Sequence, residues 1–416
     1  MTANSSVEFL IWLLIAASVI SVMAKRARVP YTAALVLAGV LLSLLRLPNI
    51  SPLAPGHRPN WLTPEVILIL FLPALVFEGS VKLKFRELLR DSVPLLVLAN
   101  VGVLIAAAIT GYLVHWITGL PILTALLFGS IISATDPISV LAIFRDLRMS
   151  PRLSMLIEGE SLLNDGTAAA LFTILLAGII AGHVSLAKGA GLFVLAILGG
   201  SGIGLVLGYA ASRITATLDD PEVEITLTTI AAYGSYLLAY HLHLSGIIAA
   251  ATAGLVVGNM GATHGMSART RATLESFWEY VAFVMNSLIF LLIGLEVHID
   301  ALWHSWRTVL GAITAVLVGR AVSVYLLVPA SNLFAENIPA RWQHVIVWGG
   351  LRGGLALALA LSLDGNFPGR HQILDLTFGV VIFSILVQGF SMKSLLKALG
   401  LAEEKPDAES TSQTSQ

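Results

Sequence analysis

The sequence predicts an all-α polytopic membrane protein of about thirteen transmembrane helices, built as two inverted six-helix repeats with interrupted crossing helices at spans 5 and 12. Three observations predict this. Of 416 residues, 56% are hydrophobic and only 12% are charged, which is too little polar surface to cover a soluble globule. Apolar runs of about 20 residues, the length that crosses roughly 30 Å of hydrocarbon, recur along the whole chain. Two of those runs are broken by proline or glycine beside a charged residue.

The runs fall at about 7–23, 31–45, 63–80, 92–117, 122–142, 153–181, 189–212, 225–241, 244–258, 276–298, 303–334, 342–363 and 374–398. The first lacks a basic n-region and a small-residue cleavage site and runs into "AKRAR", so it reads as a retained helix rather than a signal peptide. Breaker-rich stretches separate the runs, among them "RLPNISPLAPGHRPNW", "TGLP", "DDPEVE" and "DGNFPGRHQ". Residues 1–402 therefore form one transmembrane domain, and 403–416 form a short polar, disordered cytoplasmic tail.

Lys and Arg set the orientation, because short cytoplasmic loops carry the excess of positive charge. With the N-terminus outside and the C-terminus inside, 17 of the 24 basic residues fall on inside segments and five on outside ones, which favours that topology. Arg320 and Arg352 remain, each within a span. The net charge of −1 offers no field for nucleic acid, and the lack of cysteine removes disulfides and thiolate chemistry.

Polar residues at depth are the candidates for function, since a charge at a helix centre costs from about 2.5 to above 10 kcal/mol and needs a partner or a wet cavity. They are Glu78 in span 3, Thr135 and Asp136 in span 5, and Glu158, Glu160, Ser161, Asn164 and Asp165 in span 6. Asn286, Glu296, Arg320 and Arg352 complete the set. At 1.5 Å per residue, Asp136 lies about 22 Å down span 5 and Asp165 about 18 Å up span 6, so both reach mid-membrane.

Pro137 disfavours helix at Asp136 and removes a donor, so "ISATDPIS" unwinds and frees carbonyls beside an acid, a pattern suited to a cation. A kink with Asp136 paired to an arginine is the plainer alternative. In span 6, Glu158, Ser161 and Asp165 share one face and Glu160 and Asn164 another. The first face can serve an ion while the second serves structure. "VWGGLRGGLALALAL" is the second break, its four glycines weakening helix around Arg352. Spans 5 and 12 occupy equivalent places in the two halves, and paired interruptions of this kind point to the binding site of a secondary transporter.

"SATDPISV", "EGESLLNDGTA", "FLLIGLE" and "GLRGGLALALAL", in this order, resemble the signature segments of the monovalent cation:proton antiporter-1 family, which includes NhaP-type sodium/proton antiporters and the animal sodium/proton exchangers. The resemblance covers about residues 7–398. It implies a lipid-embedded homodimer in a prokaryotic cell membrane, each protomer pairing a dimerisation bundle with a mobile core that includes 92–181 and 303–398. By motif, Asp165 resembles the carboxylate that carries ion and proton. Asp136, Thr135 and Ser161 resemble its partners, so a sodium ion is expected at Asp136, Ser161 and Asp165. Asn164 resembles the marker of electroneutral exchange, and Glu160 with Arg352 a buried ion pair. Glu78, Glu158 and Arg320 are accessory candidates.

The expected function is exchange of a monovalent cation, sodium above others, for a proton, with no cofactor and no enzymatic step. Burial disfavours a charged carboxylate and a bound cation favours it, so the two ligands alternate. A potassium/proton antiporter and a cation channel remain as alternatives. An intramembrane metalloenzyme fits less well, because the histidines sit at span ends and no H-E-x-x-H occurs.

Overall fold

The computed structural model describes residues 3–27, 29–45, 63–182, 185–218, 220–261, 266–297 and 299–401. The breaker-rich stretch 46–61 and the tail 403–416 lie outside the described residues. Among the described residues every regular element is a helix. Among the described residues nine helical segments, two of them interrupted, are long and apolar enough to cross a membrane, and the apolar helices Tyr31–Leu44 and Gly246–Gly261 are shorter.

Helices α1 (Ala3–Ala27), α2 (Tyr31–Leu45) and α3 (Pro64–Lys82) precede a short α4 (Phe85–Arg90). Helix α5 (Ser92–Thr118) contains a π turn at Val97–Gly102. The fifth apolar run is two helices, α6 (Ile122–Ser133) and α7 (Ile138–Asp146). After α8 (Pro151–Ala181) come α9 (Leu186–Thr215), α10 (Pro221–His241), α11 (Gly246–Val256) and α12 (Ala268–Leu295). A short α13 (Ile299–His304) leads to α14 (Trp306–Ser331). The twelfth run is also two helices, α15 (Ala340–Gly349) and α16 (Gly354–Leu361). Helix α17 (Arg370–Ala398) contains a π turn at Ser384–Gln388.

The breakers act through backbone groups. Gly119 ends α5 in the left-handed region at φ 72°, which glycine adopts without a Cβ clash. Asp220 starts α10 by accepting from the N–H groups of Glu222 and Val223, with Pro221 in the first turn where its missing donor is harmless. Helix α12 begins eight residues before its apolar run, because Ser267 caps it and the exposed pair Arg271–Glu275, at 3.0 Å, continues the helix into polar surroundings. Glu296 thus follows the last turn of α12 instead of lying within it.

Packing sorts the helices into two groups. In one, α12 packs on α2 and α3, and α11 on α3, α9 and α10. Small residues let these backbones approach, so that a Cβ placed on Gly39 of α2 would lie 2.8 Å from the Cα of Gly294 in α12. In the other, α5 packs on α6 and α14, α8 on α6, and α16 on α6 and α17. The two groups meet where α8 touches α3, α9 and α11, and where α16 touches α3 and α12.

Candidate functional site

Two chain breaks lie against each other at the centre of the second group, residues 134–137 between α6 and α7 and residues 350–353 between α15 and α16. Each break frees backbone donors and acceptors that lipid cannot satisfy, so the protein must supply partners. Asp136 N–H donates to the Leu351 carbonyl at 2.7 Å, tying one break to the other. Thr135 N–H donates to Asn164 Oδ1 at 3.3 Å, and the Thr135 carbonyl accepts from Ser161 Oγ. Ile138 N–H, at the start of α7, donates to Asp136 Oδ1 at 3.0 Å. The Ser133 and Ala134 carbonyls accept from Arg352 Nη1 at 2.9 and 3.2 Å, which sets a cation at the C-terminal end of the α6 dipole. Gly353 stands so close to Asp136 that any Cβ there would overlap its carboxyl group.

Asp136, Asp165, Thr135, Ser161, Glu158 and Glu78 all line one cavity of about 700 Å³ between the two helix groups. The face of α8 that carries Glu158, Ser161 and Asp165 is therefore the wet one, as their spacing of three and seven requires. One oxygen of Asp165, Oδ1, is buried without a hydrogen-bond partner. A carboxylate oxygen left free beside a second carboxylate, a hydroxyl and unwound backbone is a donor set suited to a hard cation or to a proton. Glu78 accepts from Lys82 Nζ at 2.6 Å, and the same ammonium reaches Glu279 at 2.9 Å.

Asn164 and Glu160 occupy the opposite face of α8, outside the cavity wall. Asn164 Nδ2 donates to Thr135 Oγ1 at 2.6 Å and to Glu160 Oε1 at 3.0 Å. Both polar atoms of the Asn164 side chain are engaged with Thr135, so it supports the first break rather than facing the cavity.

The structure corrects the pairing of Glu160 with Arg352. Glu160 instead takes both prongs of Arg320, Nη1 to Oε1 at 2.8 Å and Nη2 to Oε2 at 2.9 Å. The physical reason is competition for donors: the end of α6 leaves carbonyls unpaired within reach of Arg352, whereas Arg320, from α14, meets Glu160 with the planar fork that suits a carboxylate.

Sequence reasoning missed two residues of the second break, Ser384 and Gln388. They are buried on α17 and hydrogen-bonded to the backbone of Arg352 and Trp348. Two polar side chains four apart at the depth of an apolar run were the available signal. It also missed Asn100, whose Oδ1 accepts from Thr167 Oγ1 at 3.2 Å at the π turn of α5.

A family model described as sodium/hydrogen exchanger, transmembrane, matches residues 13–398. The chain is 40% identical over 399 residues to the Na(+)/H(+) antiporter NhaH of Halobacillus dabanensis, covering 95% of this chain and 98% of that one. It is 40% identical over 347 residues to the Na(+)/H(+) antiporter NhaP of Pseudomonas aeruginosa, covering 80% and 81%. The solved structure of the sodium proton antiporter MjNhaP1 from Methanocaldococcus jannaschii at pH 8 has the same fold, with a TM-score of 0.80 at 20% identity over 96% of this chain and all of that one. From the first helix to the last, this chain belongs to the sodium/hydrogen exchanger family.

Proposed function

We propose that the protein is a secondary active antiporter that exchanges one sodium ion for one proton by alternating access. The observation that carries this reading is the unpartnered Oδ1 of Asp165, set in the same cavity as Asp136 beside two crossed breaks. Relatives about 40% identical over most of their length are named Na(+)/H(+) antiporters, which supports sodium as the cation and transport rather than enzymatic chemistry.

Asp165 carries either ligand. Asp136, Ser161 and the Thr135 backbone complete the sodium shell, while protonation of the carboxylate substitutes for the ion. The empty site is the costly one to occlude, because two carboxylates would then share a dry space with no counter-charge. Movement of only the loaded states makes the exchange obligatory.

In this reading thirteen spans place the N-terminus outside and the C-terminus in the cytoplasm of a prokaryotic cell. Helices α5 to α8 and α14 to α17 form the moving core, and the remaining long helices form the bundle through which two copies pair. Lys25, Lys82 and Arg145 line the cavity, and all three lie on segments whose charge assigns them to the inside, so the cavity faces the cytoplasm. The test is proton efflux from proteoliposomes challenged with Li+, Na+ and K+ in turn. Saturable efflux with sodium is expected. Efflux with potassium alone, or cation flux without counter-movement of protons, would overturn the reading.

A further inference from the structure

An α-helix through residues 348–352 would hydrogen-bond the Arg352 N–H to the Trp348 carbonyl, four residues back. Here that bond is replaced by side chains. Arg352 N–H donates to Ser384 Oγ at 2.9 Å, Ser384 Oγ donates to Gln388 Oε1 at 2.7 Å, and Gln388 Nε2 donates to the Trp348 carbonyl at 3.1 Å. The chain begins and ends on the two backbone groups that a closed helix would join. Ser384 and Gln388 are 0% and 3% exposed, so water does not supply these bonds.

We infer that Ser384 and Gln388 are positioning residues for the ion site: they are inserted into the helical bond between Trp348 and Arg352 and hold the second break open. Neither side chain lines the cavity. Their effect passes through the break they hold. Within it, the Leu351 carbonyl accepts the Asp136 N–H, Gly353 abuts the Asp136 carboxyl group, and the Arg352 side chain caps α6. Closing the Trp348–Arg352 bond would move all three groups away from these partners.

The arrangement mirrors the first break, where Ser161 and Asn164 of α8 hold the Thr135 backbone. Helices α8 and α17 follow the two breaks in chain order, each supplying a hydroxyl and an amide to the break before it. The π turn at Ser384–Gln388 accompanies the insertion, as wide turns in helices commonly do at functional positions.

The inference rests on the exchange reading only for its effect on transport, so the test has two arms. The first is amide hydrogen–deuterium exchange of the segment 348–354 in detergent, which needs no transport. The second is the apparent KM for sodium in proteoliposomes. Gln388→Met keeps the size and removes both hydrogen bonds, Ser384→Ala removes the relay, and Ser384→Thr keeps the hydroxyl. Gln388→Met and Ser384→Ala should change amide protection in 348–354 and raise the apparent KM on the order of tenfold, the scale set by lost buried hydrogen bonds. Ser384→Thr should restore both readouts.

Wild-type protection and wild-type KM in Ser384→Ala would overturn the inference whether or not Gln388→Met folds. Equal damage in Ser384→Ala and Ser384→Thr would overturn it too, because packing rather than the hydroxyl would then be at work. A wild-type protein that exchanges no sodium for protons would sink the exchange reading and leave the protection arm to decide the bridge.

Discussion

Arg320 grips Glu160 with two parallel hydrogen bonds, at 2.8 and 2.9 Å, and the Ile346 carbonyl accepts a third from Arg320 Nη2 at 3.1 Å. Both side chains are buried, and the pair joins α14 to the face of α8 opposite Asp165. Asn164 connects it to the first break by donating to both Glu160 and Thr135. The ion pair is thus the rear support of the first break, and its two charges cancel without drawing on Asp165.

Breaking this pair from one side should be costly. Arg320→Ala leaves a buried carboxylate and should destabilise the protein by about 3–5 kcal/mol. Arg320→Lys should recover only part, since a point charge cannot reproduce the fork. Arg352→Ala, which removes a cap on two carbonyls, should cost less than Arg320→Ala. Thermal melting in detergent checks the order, and an Arg352→Ala protein less stable than Arg320→Ala would contradict the pairing.

Gly353 is a steric requirement. An added methyl would overlap the Asp136 carboxyl group, with its Cγ only 2.8 Å away, so Gly353→Ala should destabilise by about 1–3 kcal/mol and cut exchange at least tenfold. Gly365, with open space around it, serves as the control, and Gly365→Ala should exchange at the wild-type rate. Equal rates in the two variants would show that the crossing is looser than the geometry indicates.

Much of this site is legible in the sequence. Asp136, Asp165, Glu160 and Arg352 stood out because charge at membrane depth is expensive, and Pro137 and the glycines around Arg352 marked the breaks because each disturbs helix at short range. The spacing of Glu158, Ser161 and Asp165 puts them on one face of the helix, and all three line the cavity.

What the sequence hid was long-range choice. Nothing local says whether Arg320 or Arg352 meets Glu160, since that depends on which carbonyls the end of α6 leaves unpaired. Ser384 and Gln388 were overlooked because serine in an apolar helix usually satisfies itself on a nearby carbonyl, and neither residue carries a charge.

Asn164 should make the exchange blind to voltage. Its neutral amide holds Thr135 without adding a titrating group, so under the proposed exchange one proton should balance one sodium ion. A net charge moved across 100 mV is worth about 2.3 kcal/mol, whereas an electroneutral cycle gains nothing from the potential. Proteoliposomes clamped with valinomycin and potassium, with sodium as substrate, should reach the same final proton gradient at every imposed potential. A gradient that follows the potential would refute one-for-one exchange.

The central claim is that Asp165 carries sodium and proton in turn, and Asp165→Asn tests it most directly, because it removes the titrating group while keeping the side chain's size. The measurement is sodium-induced dequenching of a pH-sensitive dye in proteoliposomes, with wild type and variant reconstituted at equal density and shown to melt alike in detergent. Wild type should respond and saturate with sodium, and Asp165→Asn should give no response above empty vesicles. A sodium response at the wild-type level in Asp165→Asn would contradict the account.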